Sequence, residues 1–109
     1  MNVFRHHIYE YKKGLRNLIL HTAKAENRSK IEKRLKECQI PYLIYSVSEK
    51  KINVFFGNQR CIDVIHQINK KDLKDYTAEE DFILGIMLGY DRVDQCKRYL
   101  QMKRKLKAV

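Results

Sequence analysis

Tyr42-Leu43-Ile44-Tyr45-Ser46-Val47, the polar run Ser48-Glu49-Lys50-Lys51, and then Ile52-Asn53-Val54-Phe55-Phe56 form the stretch that decides the fold. Both apolar runs are rich in aromatic and β-branched residues, which suit a pleated surface. A polar turn this short cannot make a crossover, so the two strands pair antiparallel. In the second strand Ile52, Val54 and Phe56 fall on one face and Asn53 and Phe55 on the other, because successive side chains alternate.

Upstream, Pro41 ends a helix over Asn27–Cys38, where Ile31, Leu35 and Cys38 recur at i, i+4 and i+7 among charged residues. Leu15–Thr22, with Leu18-Ile19-Leu20 at its centre, reads as a mostly buried strand. His6–Lys13 reads as a short helix stopped by Gly14. Downstream, Gly57-Asn58 ends the hairpin and caps a helix to about Asn69, with Cys61, Val64, Ile65 and Ile68 as its buried stripe. Thr77-Ala78-Glu79-Glu80 has the spacing of a capping box, and the helix it opens runs through Leu88 to a stop at Gly89. Asp91 caps a last helix from Arg92, with Val93, Cys96 and Leu100 as its apolar stripe. A basic tail over about 101–109 is expected to fray. The order helix, strand, helix, strand, strand, helix, helix, helix predicts one α+β domain, 1–109, with a small three-stranded, mainly antiparallel sheet and about five helices on its faces.

Composition sets the outer bounds. With 44% hydrophobic residues, 4 Gly and 1 Pro, the 109-residue chain has the material for a core, which excludes disorder and linker polymers. Its apolar runs are too short for a membrane span. Cys38, Cys61 and Cys96 are odd in number and far apart, which excludes a disulfide framework or a zinc ribbon. Leu18-Ile19-Leu20 is too short for a secretory signal, so a reducing cytoplasm is expected, and the glycosylation spacing of Asn27-Arg28-Ser29 carries no weight there. The net charge is +10 and unevenly spread. Residues 1–62 hold 13 basic and 5 acidic residues, 63–94 hold 4 and 8, and 95–109 hold 6 and none. Such a surface draws acidic partners, whether nucleic acid, protein or an anionic surface.

Two regions suggest binding. Phe82 to Tyr90 is apolar at every position but its two glycines, so a helix there must be covered on every side. Each fully exposed Leu, Ile or Phe forgoes roughly 1.5–3 kcal/mol of burial. A two-fold mate would supply the cover through Phe82, Ile83, Gly85, Ile86, Met87, Gly89 and Tyr90, with Gly85 and Gly89 on one face to allow close helix approach. The other source of cover is the last helix and the N-terminal segment of the same chain. The second region is the basic end of the chain, Lys97, Arg98, Lys103, Arg104, Lys105 and Lys107, which suits an acidic partner. With Tyr99 among these residues, single-stranded nucleic acid is the alternative, although no helix-turn-helix, RNP string or Gly-x-x-Gly loop accompanies them.

Signs of chemistry are weak. His6, His7 and Glu10 would share a helix face and offer metal ligands, but a further ligand from His21 or His66 would be needed; a polar helix face explains them equally. Cys61 with His66 is a conceivable nucleophile and base, yet Cys61 lies on an apolar stripe. Glu79, Glu80 and Asp81 complement the dipole of the helix they open. Gly57-Asn58-Gln59-Arg60 could present amides to a phosphate, and helix capping accounts for it as well. No catalytic constellation and no cofactor motif emerges, so a non-enzymatic protein without a cofactor is expected.

Three strings carry a resemblance. They are His6-His7-Ile8-Tyr9-Glu10-Tyr11-Lys12-Lys13-Gly14-Leu15-Arg16, Ile52-Asn53-Val54-Phe55-Phe56-Gly57, and Glu79-Glu80-Asp81-Phe82-Ile83-Leu84-Gly85 continuing to Gly89-Tyr90-Asp91. Over roughly 3–100 the chain resembles the bacterial family DUF2023, a domain of unknown function. The resemblance implies a small fold of three strands and five helices that forms a homodimer. It also implies a gene neighbourhood shared with a flavodoxin, and flavodoxins are acidic. No catalytic residues come with the resemblance, and the lysine-rich tail after Leu100 falls outside it. The combined expectation is a non-catalytic homodimeric binding protein for an acidic protein such as a flavodoxin. A nucleic-acid-binding dimer using the basic C-terminal helix is the alternative.

Overall fold

The computed structural model describes residues 2–108, and the side chains of Lys107 and Ala108 lie outside that description. Its elements are α1 (Asn2–Lys12), β1 (Leu18–Lys24), α2 (Arg28–Glu37), β2 (Tyr42–Ser46), β3 (Lys51–Gly57), α3 (Gln59–Ile68), α4 (Ala78–Met87) and α5 (Arg92–Ala108), with two short 3-10 turns at Ala25–Asn27 and Leu73–Asp75. β2 and β3 form the expected antiparallel hairpin, with Ile44 opposite Val54 and Tyr45 opposite Asn53. β1 pairs with the other edge of β3, also antiparallel, with His21 opposite Val54. The strand order is therefore β1-β3-β2, with the last strand in sequence at the centre. β1, α2 and β2 form a split β-α-β unit that β3 fills.

The alternation along β3 sorts two cores. Ile52, Val54 and Phe56 join Ile19 and face Phe4 and Ile8 of α1 and Ile31 and Leu35 of α2. On the other side Phe55 and Leu18 face Ile62 and Ile65 of α3 and Leu84 and Leu88 of and beside α4, with Tyr76 between. Asn53 is the polar exception; its side-chain oxygen accepts a hydrogen bond from the Thr22 hydroxyl at 2.7 Å, which satisfies it inside the sheet layer. The result is a sheet covered by helices on both faces, an α+β domain.

Local signals place the helix ends. Asn58 Oδ1 accepts from the Arg60 amide at 2.9 Å. Thr77 Oγ1 accepts from the Glu80 amide at 3.1 Å and the Glu80 carboxylate accepts from the Thr77 amide at 2.9 Å, which completes the capping box. Gly89, at φ +81, stops α4: its amide donates to Ile86 and that of Tyr90 to Gly85, each at 3.1 Å.

Four expectations are corrected. α1 begins at Asn2 rather than His6, because Phe4 and Ile8, one turn apart, are its buried pair, and Tyr9 faces solvent. β1 runs Leu18–Lys24 rather than Leu15–Thr22: the turn at Gly14 takes up Leu15, whose amide donates to Glu10 at 3.0 Å while its side chain is exposed. On α3 the buried face centres on Ile62 and Ile65, so Val64 lies outside it. The stretch from 101 is helical rather than irregular; α5 runs to Ala108.

α5 stands outside the two-faced sandwich and packs chiefly on α4. At 17 residues it spans about 25 Å. It is a reason for the elongated shape, 47 × 32 × 24 Å, with a radius of gyration of 14.8 Å, where a compact chain of this length would show about 13 Å.

Candidate functional site

α4 and α5 form an antiparallel hairpin that builds the site. Gly85 sits where the two helices touch: the Gln95 side chain fills the space a Cβ would take. Phe82 and Tyr99 meet edge to face at 5.8 Å between centroids. Arg98 donates to both carboxylate oxygens of Asp81, at 2.7 and 3.1 Å. Lys103 pairs with Glu79 at 3.2 Å. Tyr99 and Lys103 hydrogen-bond to the Glu79 carboxyl and hold it below the usual carboxylate range. The acidic start of α4 thus does two jobs, complementing its own helix dipole and clamping the basic second half of α5.

This clamp turns α5 against expectation. Gln95, Arg98 and Tyr99 face α4, so Val93 points away from it and Cys96 and Leu100 flank the contact at its open edge. Val93 is 75% exposed, and Cys96 and Leu100 are also exposed. An apolar stripe on a terminal helix reads as buried only if the helix lies against the core, and here polar and ionic contacts fix a different rotation. Of the all-apolar helix, Leu84, Gly85 and Leu88 are buried, Phe82, Ile86 and Met87 are half-buried, and Ile83 and Tyr90 are exposed. α1 covers none of it, because α1 lies on the opposite face of the sheet. Gly89 keeps open space around it, and Gly85 is closed by Gln95 of the same chain. What remains is an open groove of ≈ 560 Å³ walled by Phe82, Ile83, Cys96, Tyr99 and Leu100, with Glu79 at its end.

The other candidate groups are scattered. His6 and His7 approach Glu10 at 3.7 and 3.4 Å, but Arg16 lies 3.9 Å from the same oxygen, a cation where a metal would compete. The ring of His21 meets that of His7 edge-on at 5.4 Å. Burial first, and His7 second, push the His21 pKa below its ordinary value. Among the described residues no set of three His, Cys, Asp or Glu is arranged to hold a metal ion. Burial raises the Cys61 pKa, opposite to what a nucleophile needs, and His66 is exposed. Three of the four amides in the Gly57 turn are already used: that of Gly57 bonds to Pro41 at 3.1 Å, that of Asn58 to Asn17 at 2.8 Å, and that of Arg60 to the Asn58 cap at 2.9 Å. In the basic tail, Arg98 and Lys103 are engaged by α4. Lys97, Arg104 and Lys105 have no carboxylate partner among the described residues, and the side chain of Lys107 lies outside them. Tyr99 is packed on Phe82 rather than free to stack on a base.

One feature escaped the sequence reading. α1 and α2 lie beside each other on the sheet, and between them runs a cleft of ≈ 580 Å³ lined by Arg5, Lys30, Lys33, Arg34 and Glu37 over Phe4. Its residues come from two separate segments, so only the fold assembles them.

The fold is thus a two-faced α+β sandwich with an apolar helical hairpin on one side and a basic cleft on the other. The model of the family described as a protein of unknown function, DUF2023, matches residues 2–102, and the chain belongs to that family. Comparison with curated proteins gives no match. Among the described residues no helix is long and apolar enough to cross a membrane.

Proposed function

We propose that this chain is a cytoplasmic, non-catalytic homodimeric protein that binds an acidic protein partner. The observation that carries the reading is the α4–α5 groove, a contiguous apolar surface that the chain leaves open to solvent. A second copy fits it in charge as well as in apolarity. Asp91 just before α5 and Asp94 in its first turn stand at one end, and Arg104 and Lys105 near the other, so two such helices packed antiparallel place each acidic start against a basic end.

The excess of 23 basic over 13 acidic residues supports an acidic partner, since complementary charge speeds encounter and makes binding sensitive to salt. A flavodoxin, and with it a role in redox or iron metabolism, is the partner the family resemblance suggests. The test has two arms. Light scattering over rising protein concentration is expected to pass from the monomer mass toward twice that mass; a monomer at every concentration refutes the dimer. Mixing with an acidic flavodoxin is expected to give co-elution at low salt that is lost at high salt. No co-elution at low salt refutes the partner, and retardation of DNA or RNA in its place favours the nucleic-acid alternative.

A further inference from the structure

We propose that the cleft between α1 and α2 is the docking surface for the acidic partner, and that it takes an acidic helical segment of a protein laid along α2. The inference rests on the acidic-partner reading and gives it a place different from the C-terminal tail. Arg5 stands on the α1 wall; Lys30, Lys33 and Arg34 stand on the α2 wall; Glu37 closes the far end. Among the described residues no carboxylate lies within ion-pair distance of Arg5, Lys30 or Lys33, and Arg34 has only Glu37, at 3.8 Å with both side chains half exposed. Four cations against one carboxylate therefore face solvent across a single cleft. Such crowding of like charge costs stability unless an anion relieves it.

Spacing selects the shape of the ligand. Lys30, Lys33, Arg34 and Glu37 fall at i, i+3, i+4 and i+7, one face of two helical turns over about 10 Å. A helix whose carboxylates recur once per turn matches that ladder, and Arg5 reaches it from the opposite wall. Two features disfavour a nucleic-acid strand. The cleft's one aromatic residue, Phe4, is fully buried and offers no face for stacking. Glu37 would repel a phosphodiester backbone, whereas a basic residue at one end of an acidic protein helix can pair with it.

The test uses the full-length chain and three probes: a fluorescein-labelled Ala/Glu peptide with glutamates three and four residues apart, a labelled single-stranded oligonucleotide, and inorganic phosphate. Anisotropy at low salt is expected to show the peptide bound, with binding abolished by high salt. The double variant Lys30→Glu, Lys33→Glu, and separately Arg5→Glu, is expected to weaken peptide binding by about tenfold or more. The tail variant Arg104→Glu, Lys105→Glu should change it by less than about threefold, because those side chains lie on α5. All these groups are on the surface; circular dichroism confirms the fold, and Lys30→Gln, Lys33→Gln gives a milder second reading in the same direction. Peptide binding that survives both cleft variants but is lost in the tail variant overturns the cleft and leaves the acidic-partner reading standing. Tighter binding of the oligonucleotide than of the peptide, or competition by phosphate at equal concentration, also overturns it. No binding of any probe by the unaltered protein overturns both.

Discussion

Replacing Leu100 measures the α4–α5 surface directly. Leu100 is 52% exposed in the single chain, Ile83 41% and Val93 75%. Full burial of such a side chain is worth roughly 1.5–3 kcal/mol, so completing the burial of Leu100 is worth about 1 kcal/mol per copy. A two-fold interface contains the residue twice, and Leu100→Ala should cost about 2 kcal/mol of association, about 30-fold in the dimer constant. On the same scale the three residues together supply about 5–10 kcal/mol across both copies, of the same order as the 4–15 kcal/mol that association costs. The dimer is therefore expected to be weak and to dissociate on dilution. Sedimentation velocity over a concentration series reads this: the unaltered chain should shift toward the dimer as concentration rises, Leu100→Ala should need about 30 times more protein, and Leu100→Asp should stay monomeric. The fold of the monomer should persist, because the side chain touches little of the core. The reasoning is refuted if the unaltered chain never leaves the monomer position, or if all three proteins sediment alike.

Three further outcomes follow from the interior. Gly57→Ala should destabilise by about 2–3 kcal/mol in urea unfolding, because a Cβ at φ +147 would meet the Asn17 carbonyl oxygen, a backbone atom held by the Asn58 amide; an unchanged midpoint would contradict the close approach. The Tyr76 hydroxyl is buried without a hydrogen-bond partner among the described residues, and burial pushes its pKa up to about 12. Tyr76→Phe should thus stabilise by about 1 kcal/mol, raising Tm by several degrees, and a loss of stability would show that the hydroxyl is satisfied. His21 has a folded pKa below its unfolded value near 6.5, chiefly from burial. The unfolded chain then binds more protons, so stability is full above about pH 6.5 and falls as the pH drops through that value toward the folded pKa. In His21→Gln the slope of Tm against pH should flatten over that window, and an identical slope in both proteins would remove His21 as its cause.

How much the sequence revealed depended on how local each signal was. The capping box of Thr77 and Glu80, the Asn58 cap and the Gly89 stop act within four residues, and all stand as read. The alternation from Ile52 to Phe56 sorted the two faces of β3, because a strand's period is fixed by its geometry. The position of β3 between β1 and β2 was not legible, since antiparallel pairing of neighbours in sequence says nothing about the outer edge. The rotation of α5 was misread for the same kind of reason. Val93, Cys96 and Leu100 form a genuine apolar stripe, but Asp81, Glu79 and Gly85, on the preceding helix, decide which side faces in. The basic cleft needed Arg5 brought beside Lys30 and Lys33, a juxtaposition that the shared core of Phe4, Ile8, Ile31 and Leu35 creates.

The central place of β3 also governs the order of assembly. A growing chain that has reached only β2 holds two strands that are not neighbours and cannot bond to each other. The hairpin turn at 47–50 brings β3 back first onto β2, a local step, and β1 then docks on the exposed side of β3 across a much longer loop. Until residue 57 has emerged, Leu18 and Ile19 have no strand to rest on. Nascent chains halted before that point should be open to proteolysis along their whole first half.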